Sequence, residues 1–205
     1  MIPAEKIKSR PALPLNFTVS LSIIIPTFDA AAHIAATLDS LQSLRSRGAE
    51  IIVVDGGSSD DTIALSRDRA DQMIGVAGGN AQRMNAGAAA AHGEILCFLH
   101  ANSQLPEGAD SLMIGGLARN RRSWGCFEVR SASAHPLQRV TAVMMNCRIR
   151  LTGIASGAQG LFVTRSLFEA AGRFPEIAHG EDLAFSRQLK IYGAPLYINH
   201  PLTIT

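Results

Sequence analysis

Short apolar runs and helix-periodic segments alternate along the first half of the chain. Runs rich in β-branched or other apolar residues predict buried strands at 21–26, 50–55, 73–77 and 94–99. Between them, apolar residues at helical spacing and an alanine-rich segment predict helices at 30–47, 60–70 and 81–92. Because strand–helix–strand crossovers are right-handed, this order predicts an α/β fold with a parallel sheet and helices on both faces.

A looser pattern follows residue 105. It predicts strands at 124–130, 160–164 and 196–198. It also predicts helices at 106–119, 136–151, 166–171 and 181–192. Residues 1–18 carry neither pattern, so we interpret them as an N-terminal extension ahead of a single domain at 19–205.

The predicted helix at 136–151 combines apolar and basic residues. Its apolar stripe consists of Val140, Met144, Met145 and Ile149, beside Arg139, Arg148 and Arg150. Such a stripe usually packs into a core, and we expect that here. An acceptor groove or a membrane-surface contact is the alternative, since basic amphipathic helices favour anionic lipid.

Composition and charge narrow the function classes. The chain has 205 residues, 47% of them hydrophobic, which suits one domain with a full core. A formal net charge of +2 argues against a nucleic-acid-binding protein, which needs a concentrated basic face. No apolar stretch approaches the ~18–20 residues of a membrane span, and residues 2–15 lack the apolar segment of a secretory signal. We expect a cytoplasmic protein; peripheral contact with the inner face of the membrane and homo-oligomer formation stay open.

The three cysteines indicate no disulfide framework. Cys97, Cys126 and Cys147 are far apart, form no CxxC motif and lie in apolar segments. This usage predicts reduced core residues in a reducing compartment.

Candidate binding residues follow the predicted strands, because ligands of open parallel sheets bind beyond the carboxyl ends of the strands. The segments concerned are 26–29, 55–60 and 100–102. The first strand leads into Pro26-Thr27-Phe28-Asp29 without the GxGxxG turn of a dinucleotide site, and the chain has no GxxxxGK[ST] phosphate loop. An NAD-dependent enzyme is therefore disfavoured. What remains is a fold that binds the base and ribose of a nucleotide with carboxylates at the strand ends.

Five segments in register carry a more specific resemblance. They read SIIIPTFDAAAHIAATLDSL, EIIVVDGGSSDDT, RMNAGAAAAHGEILCFLHANSQLP, GAQGLFVTRSLFEAAGRFPEI and GEDLAFSRQLKIYG. In order and spacing the chain resembles the family 2 glycosyltransferases, most of all a subgroup of short bacterial members, over about residues 20–200.

The resemblance implies a GT-A fold, with a Rossmann-like, mostly parallel sheet and helices on both faces. It implies a nucleotide-binding half at 19–105 and an acceptor-binding half at 106–205. The implied activity is transfer of a sugar from a nucleoside diphosphate sugar, with UDP as the first candidate, to the hydroxyl of an unknown saccharide or lipid-linked acceptor. Inversion at the sugar carbon is implied as well.

Residue by residue, the resemblance places the nucleoside against the first two strand ends. Pro26, Thr27 and Asp29 fall on the loop that lines the nucleoside. Asp55, followed by Gly56, falls on the carboxylate that holds the base or ribose, and a carboxylate can accept bonds from both. The alternative for Asp55 is an acid that only caps its own turn.

The same resemblance assigns the diphosphate and the catalytic base. His100 and Asn102 fall on the metal-and-diphosphate motif, and Glu181 and Asp182 fall on the pair that supplies the base. Glycosyl transfer needs a base for the acceptor proton and positive charge near the departing diphosphate. We expect Asp182 to be the base, with Glu181 second. His100 as a packed structural residue, and the acidic pair as an ordinary helix start, are the alternatives.

The chain departs from the family pattern at three places. It has Asp29-Ala30 for Asn-Glu, Asn102 for Asp, and Gly157-Ala158-Gln159 for Gly-Asp-Gln, in which Gln159 remains a candidate substrate contact. Mn²⁺ or Mg²⁺ prefers anionic oxygen ligands, so Asn102 and His100 predict weak metal binding.

Two consequences of these departures stay open. Arg83 could neutralise phosphate in place of a metal, or be an ordinary helix residue. The lost carboxylates also leave a catalytically impaired nucleotide-sugar-binding or regulatory protein as an alternative. An enzyme is favoured because Glu181 and Asp182 are present.

Overall fold

The computed structural model describes residues 19–205, so the predicted extension at 1–18 lies outside the described residues. The strands are β1 (Leu21–Thr27), β2 (Glu50–Asp55), β3 (Gln72–Gly75), β4 (Ile95–Phe98), β5 (Ser103–Gln104), β6 (Trp124–Ser131), β7 (Leu161–Thr164) and β8 (Leu196–Ile204). The helices are α1 (Ala31–Ser46), α2 (Thr62–Ser66), α3 (Asn80–Ala90), α4 (Ala109–Asn120), α5 (Pro136–Thr152), α6 (Arg165–Ala170) and α7 (Glu181–Tyr192).

One eight-stranded sheet has the order β3-β2-β1-β4-β7-β6-β8-β5. The first four strands run parallel, as their alternation with helices predicts. In the second half β6 and β8 are parallel to each other, but β7 is antiparallel to both β4 and β6. The α/β prediction is confirmed, with a sheet that is parallel in its first half and mixed in its second.

The direction of β7 follows from the segment after α5. That segment contains a 3-10 turn at Gly157–Gln159, which brings the chain back to the edge where β4 ends, beside His100. β7 therefore starts at that edge and runs back along β4. The sequence pattern predicts the strand but not its direction, because the turn carries no apolar periodicity.

Both faces of the sheet are covered, which explains why its strands are apolar without alternation. In β1, Ile23 and Ile25 pack under α1 and α4, while Ile24 packs on the opposite side with α3, α6 and α7. The predicted core positions of α1 are all buried: Ile34, Leu38, Leu41 and Leu44.

Close helix-on-sheet packing accounts for the glycine and alanine of α3. A Cβ on Gly87 would lie 2.4 Å from Ile24 Cγ2 and 2.9 Å from Val54 Cγ2. Only a residue without a side chain lets α3 approach β1 and β2 this closely. The start of α3 is thereby held near the carboxyl ends of these strands.

Some element boundaries differ from the sequence prediction. α2 is confined to Thr62–Ser66, and β5 was not predicted because two residues give no pattern. β8 continues past residue 198 to Ile204 through a bulge: Phe127 pairs with Ile198, but Val129 pairs with Leu202. Pro201 lies in this interruption, where its missing N–H costs no ladder bond.

The cysteine prediction is correct for two of the three residues. Cys97 and Cys126 are buried, and burial raises the pKa of each thiol to about 12. Cys147 is exposed on α5, so its assignment to the core is wrong.

The apolar stripe of α5 also departs from its expected place. Ile149 is buried and Met145 is half-buried, but Val140 and Met144 are exposed. Core packing is therefore wrong for these two residues. Within 19–205, none of the helices has the length and apolar character that crossing a membrane requires.

Candidate active site

A cleft of about 370 Å³ opens where β1 and β4 end, facing the start of α3. Five residues predicted from strand ends or helix position line it together: Pro26, Asp29, Arg83, His100 and Asn102. The remaining lining residues are Phe28, Ala30, His33, Asn80 and Ala101. The structure thus brings together residues from three separate parts of the chain at the edge that an open α/β sheet uses for ligands.

The loops after β1 and β2 are tied to each other along one wall of this cleft. Asp29 adopts a left-handed φ of 46° and its Oδ1 accepts from the Ser59 backbone N–H at 2.8 Å. The Asp60 carboxylate accepts from Ala31 N at 2.9 Å and Thr62 N at 3.0 Å, at the first residues of α1 and α2. We call this set of bonds the loop clasp. It satisfies backbone donors that helix starts leave open, so the wall is formed before any ligand arrives.

Asp55 is buried and its carboxylate binds its own turn. Oδ2 accepts from Gly57 N and Ser58 N, each at 2.9 Å, while Oδ1 accepts from the hydroxyls of Ser58 and Thr27. These four donors occupy the lone-pair directions of the carboxylate. Neither Asp55 nor Thr27 is among the residues that line the cleft. Direct contact of Asp55 with a base or ribose stays a prediction.

We expect Asp55→Asn to lower the free energy of unfolding by about 2 kcal/mol, because the amide N–H₂ would face backbone donors in a buried site. Burial alone raises the pKa of Asp55, but the bonds from Ser58, Gly57 and Thr27 outweigh it and lower the pKa. This stabilisation is therefore present above the unfolded-state pKa of about 3.9 and is lost as pH falls through the lower folded value. Urea unfolding of both proteins from neutral pH to pH 3 measures it.

Asp61→Asn is the matched control, since Asp61 is exposed in the same loop and its side chain caps nothing. It should change stability by less than about 0.5 kcal/mol. Equal stability of Asp55→Asn and wild type at neutral pH would contradict the structural role of the Asp55 carboxylate.

Arg83 forms the cationic part of the cleft. Its Nη1 donates to the Gly78 carbonyl at 2.8 Å, and its Nε is buried without a hydrogen-bond partner among the described residues. A Cβ on Gly56 would lie 2.5 Å from Nη1 and 3.1 Å from the Phe28 ring. Gly56 therefore leaves room for the guanidinium, which retains donor capacity toward the cleft.

His100 lines the cleft, and Gly157 and Asp182 lie close to it without being part of the lining. A Cβ on Gly157 would lie 2.8 Å from His100 Nε2 and 3.4 Å from Asp182 Oδ2. The Asp182 carboxylate accepts from the backbone N–H groups of Gly157 and Leu183. Burial lowers the pKa of His100, while the charges of Asp182 and Glu181 act in the opposite direction. The effect of burial is the larger, so the pKa of His100 is lowered and the neutral imidazole is favoured.

The neighbouring carboxylate, Glu181, has a different partner. Its Oε1 accepts from Asn80 Nδ2 at 2.7 Å, which connects the first turn of α7 to the first residue of α3. Both predicted acids thus lie in the first turn of α7, after Gly180 in a left-handed conformation. Asp182 is next to His100, and Glu181 is next to Asn80.

Gln159 lies apart from the cleft lining. It is fully buried, and its Oε1 accepts from Ser156 N at 3.0 Å, closing the 3-10 turn. Its Nε2 has no hydrogen-bond partner within the described part of the chain. The structure gives Gln159 a structural contact, and its role in substrate binding stays a prediction.

The residues at the expected metal position fit a divalent cation poorly. Among residues 19–205 no group of three or more His, Cys, Asp or Glu side chains is placed to hold a metal. His100 and Asn102 offer an imidazole and an amide, and Asn102 Nδ2 donates to the Thr205 carbonyl at 3.4 Å. Mn²⁺ and Mg²⁺ prefer carboxylate oxygens, which this donor set lacks.

Sequence reasoning missed His33 and Asn80, whereas Phe28 lies in the predicted segment 26–29. Asn80 follows Gly78-Gly79 directly before the predicted helix, and a polar residue at a helix start facing a strand edge is a signal that could have found it. His33 carried no such signal, because its orientation depends on the loop clasp.

Comparisons with known proteins agree with this arrangement. The sequence model described as Glycosyl transferase family 2 matches residues 22–169. Proteins described as PGL/p-HBAD biosynthesis glycosyltransferase, from Mycobacterium tuberculosis and Mycobacterium bovis, are 37% identical over 98 residues. That match covers 44% of this chain and 38% of those relatives, so the chain matches well under half of their length.

Three solved structures are similar in fold. S. aureus TarS has a TM-score of 0.73 at 17% identity, covering 91% of this chain and 36% of TarS. The mannosyltransferase PcManGT from Pyrobaculum calidifontis, in complex with GDP-Man and Mn²⁺, has a TM-score of 0.64 at 22% identity, covering 88% and 54%. Glucosyl-3-phosphoglycerate synthase from Mycobacterium tuberculosis, with Mn²⁺ and UDP, has a TM-score of 0.64 at 16% identity, covering 90% and 71%. These similarities show the predicted GT-A fold.

Proposed function

The chain belongs to glycosyl transferase family 2, and from this premise we propose that it transfers a sugar from a nucleoside diphosphate sugar to a hydroxyl acceptor. The observation that carries the proposal is the cleft, whose lining includes the cationic Arg83 and His100, with the Asp182 carboxylate near His100 but outside the lining itself. A cation suits the departing diphosphate and a carboxylate suits the acceptor proton.

We assign the donor nucleoside to the wall formed by the loop clasp. Pro26 and Asp29 line this wall, and Arg83, in the first turn of α3, also lines the cleft. A UDP-sugar is the first candidate donor and a GDP-sugar the second. TarS has been solved with UDP and UDP-GlcNAc, and PcManGT with GDP-Man, which supports both choices.

The proposed reaction is a direct displacement with inversion. The acceptor hydroxyl oxygen forms a bond to the anomeric carbon, and the bond from that carbon to the diphosphate oxygen breaks. The acceptor proton passes to the Asp182 carboxylate, and the electron pair of the broken bond leaves with the nucleoside diphosphate. Arg83 stabilises the charge that develops on that leaving group. The acceptor is a saccharide or a lipid-linked hydroxyl compound.

The role of a divalent cation is proposed to be smaller than in the Mn²⁺-bound neighbours. His100 and Asn102 are the residues at the metal position, and neither supplies negative charge. Arg83 then supplies much of the positive charge that balances the diphosphate. Donor binding should accordingly depend weakly on added Mn²⁺.

Calorimetric titration tests the proposal on the wild-type chain. UDP, GDP and NAD are titrated with Mn²⁺ and with EDTA, and hydrolysis of UDP- and GDP-sugars is followed in parallel. We expect binding of one nucleoside diphosphate in both conditions, with slow hydrolysis of its sugar. Binding without turnover of any sugar would favour the catalytically impaired alternative, and NAD binding alone would overturn the assignment.

A further inference from the structure

α5 presents a stripe of apolar side chains that nothing in the described chain covers. The stripe has the spacing 3-4-3-4 and consists of Leu137, Val140, Met144, Cys147 and Leu151. All five are exposed, and the four larger side chains range from 53% to 85% exposed. We call this the outer stripe. Residues at this spacing share one face of a helix, so they form a continuous apolar surface.

The opposite face of α5 already holds the helix on the domain. Ala142 and Ile149 are buried there. Asn146 accepts from Val129 N and donates to Val129 O, each at 2.9 Å, at the point of β6 that faces the bulge in β8. The outer stripe is therefore not needed to attach α5. Contiguous exposed apolar surface of this kind marks an interaction site.

The charges of α5 indicate whether the outer stripe contacts a second copy of this chain or a lipid surface. The helix contains Arg139, Arg148 and Arg150 and no aspartate or glutamate. Arg150 is paired with Glu128 of β6 at 3.4 Å, but two copies of α5 packed along the outer stripe would bring Arg139 and Arg148 together with no acid on either helix. An anionic lipid headgroup layer supplies both the compensating charge and an apolar layer beneath it.

The start of α5 lies at the rim of the cleft. β6 ends at the same sheet edge as β1 and β4, and α5 begins five residues later. Ala132 N donates to Ile204 O at 2.8 Å, and Thr205 N donates to Asn102 O at 3.0 Å, which connects this rim to the cleft lining. A flat surface under α5 would thus lie beside the cleft opening.

We propose that the outer stripe of α5 docks on an anionic membrane surface. The apolar side chains enter the boundary between headgroups and acyl chains, and the arginines contact anionic headgroups. This places the cleft at the bilayer surface, where a lipid-linked hydroxyl acceptor would be presented. The docking itself is independent of sugar transfer and is measured without it.

Vesicle flotation with the 205-residue chain tests the docking. The probes are vesicles of phosphatidylcholine alone and of phosphatidylcholine mixed with phosphatidylglycerol. We expect binding only to the anionic vesicles and loss of binding in high salt. The double variant V140S/M144S should reduce the partition coefficient at least about tenfold, since it removes two apolar side chains from the inserted face.

Ile191→Ser is the matched control, because Ile191 is 83% exposed on α7, outside the outer stripe. It should bind anionic vesicles like wild type, and all variants should keep the same melting temperature. No binding to anionic vesicles, or equal binding by V140S/M144S, would overturn the proposal. A dimer in vesicle-free solution that V140S/M144S abolishes would also overturn it and assign the outer stripe to a second copy.

Discussion

Asp182→Asn is expected to lower the rate of sugar transfer and donor hydrolysis by about 10²- to 10⁴-fold, the range of general-base contributions. A Cβ added to Gly157 would lie 3.4 Å from Asp182 Oδ2 and 2.8 Å from Nε2 of His100, a residue of the cleft lining, so the two side chains are close together. Asp182 itself is outside the cleft lining, so we expect an acceptor hydroxyl bound beside His100 to pass its proton to this carboxylate, which asparagine cannot replace. Initial rates with the donor found by calorimetry measure the loss.

Nucleotide affinity separates this effect from misfolding. Asparagine keeps one acceptor oxygen but places an N–H₂ group against a backbone N–H, so a small fall in melting temperature is expected. UDP or GDP affinity should stay nearly unchanged. Glu181→Gln is the matched variant, since Glu181 is in the same helical turn and contacts Asn80 instead. If Glu181→Gln abolishes transfer and Asp182→Asn does not, the base is Glu181.

Arg83→Ala is expected to weaken nucleoside diphosphate binding by about ten- to a hundredfold, as loss of a charge-assisted hydrogen bond predicts. The guanidinium lines the cleft, and its Nε has no partner among residues 19–205. Because the metal position lacks a carboxylate, little other positive charge compensates the diphosphate. Calorimetric titration with the nucleoside diphosphate, with and without Mn²⁺, measures the change.

Two further variants sharpen the test of Arg83. Arg119→Ala removes the same charge from an exposed position on α4 and should leave affinity unchanged. Arg83→Lys should retain part of the affinity, since lysine keeps the positive charge but lacks the planar guanidinium that can donate two hydrogen bonds to one phosphate. Full affinity of Arg83→Ala in EDTA would show that the diphosphate binds elsewhere.

The first half of the fold was predictable because local pattern and tertiary environment agree there. Strands such as β1 and β2 are buried on both faces, so their apolar runs identify them directly. The second half was less predictable because its directions depend on a turn and a bulge. The 3-10 turn before β7 and the bulge in β8 leave no periodic signal.

The site shows the same division. Strand ends located Pro26, Asp29 and His100 at one edge, because parallel strands place their carboxyl ends together. The partners of each side chain could not be predicted. Asp55 accepts hydrogen bonds from its own turn, and Gln159 closes the 3-10 turn. Both arrangements depend on the positions of backbone N–H groups, which cannot be inferred from residue types.

The outward face of α5 was misassigned for a related reason. Apolar residues occur on two faces of this helix, and periodicity alone does not tell which face meets the sheet. The side chains that attach it are Ala142, Ile149 and Asn146. Asn146 is polar, so the face that packs on β6 looked less apolar than the face that is exposed.

The loop clasp has a consequence for how donor preference could diverge or be redesigned. The side chains that fix these loops, Asp29 and Asp60, accept hydrogen bonds from backbone N–H groups and from the hydroxyls of Ser59 and Thr62. Phe28 and His33 project from the same loop region into the cleft and take no part in those bonds. Substitutions at Phe28 and His33 can therefore change which nucleobase or sugar is accepted while the backbone that presents them stays in place. The residues of the loop clasp fold the loops, and the residues that can vary in the cleft are different ones.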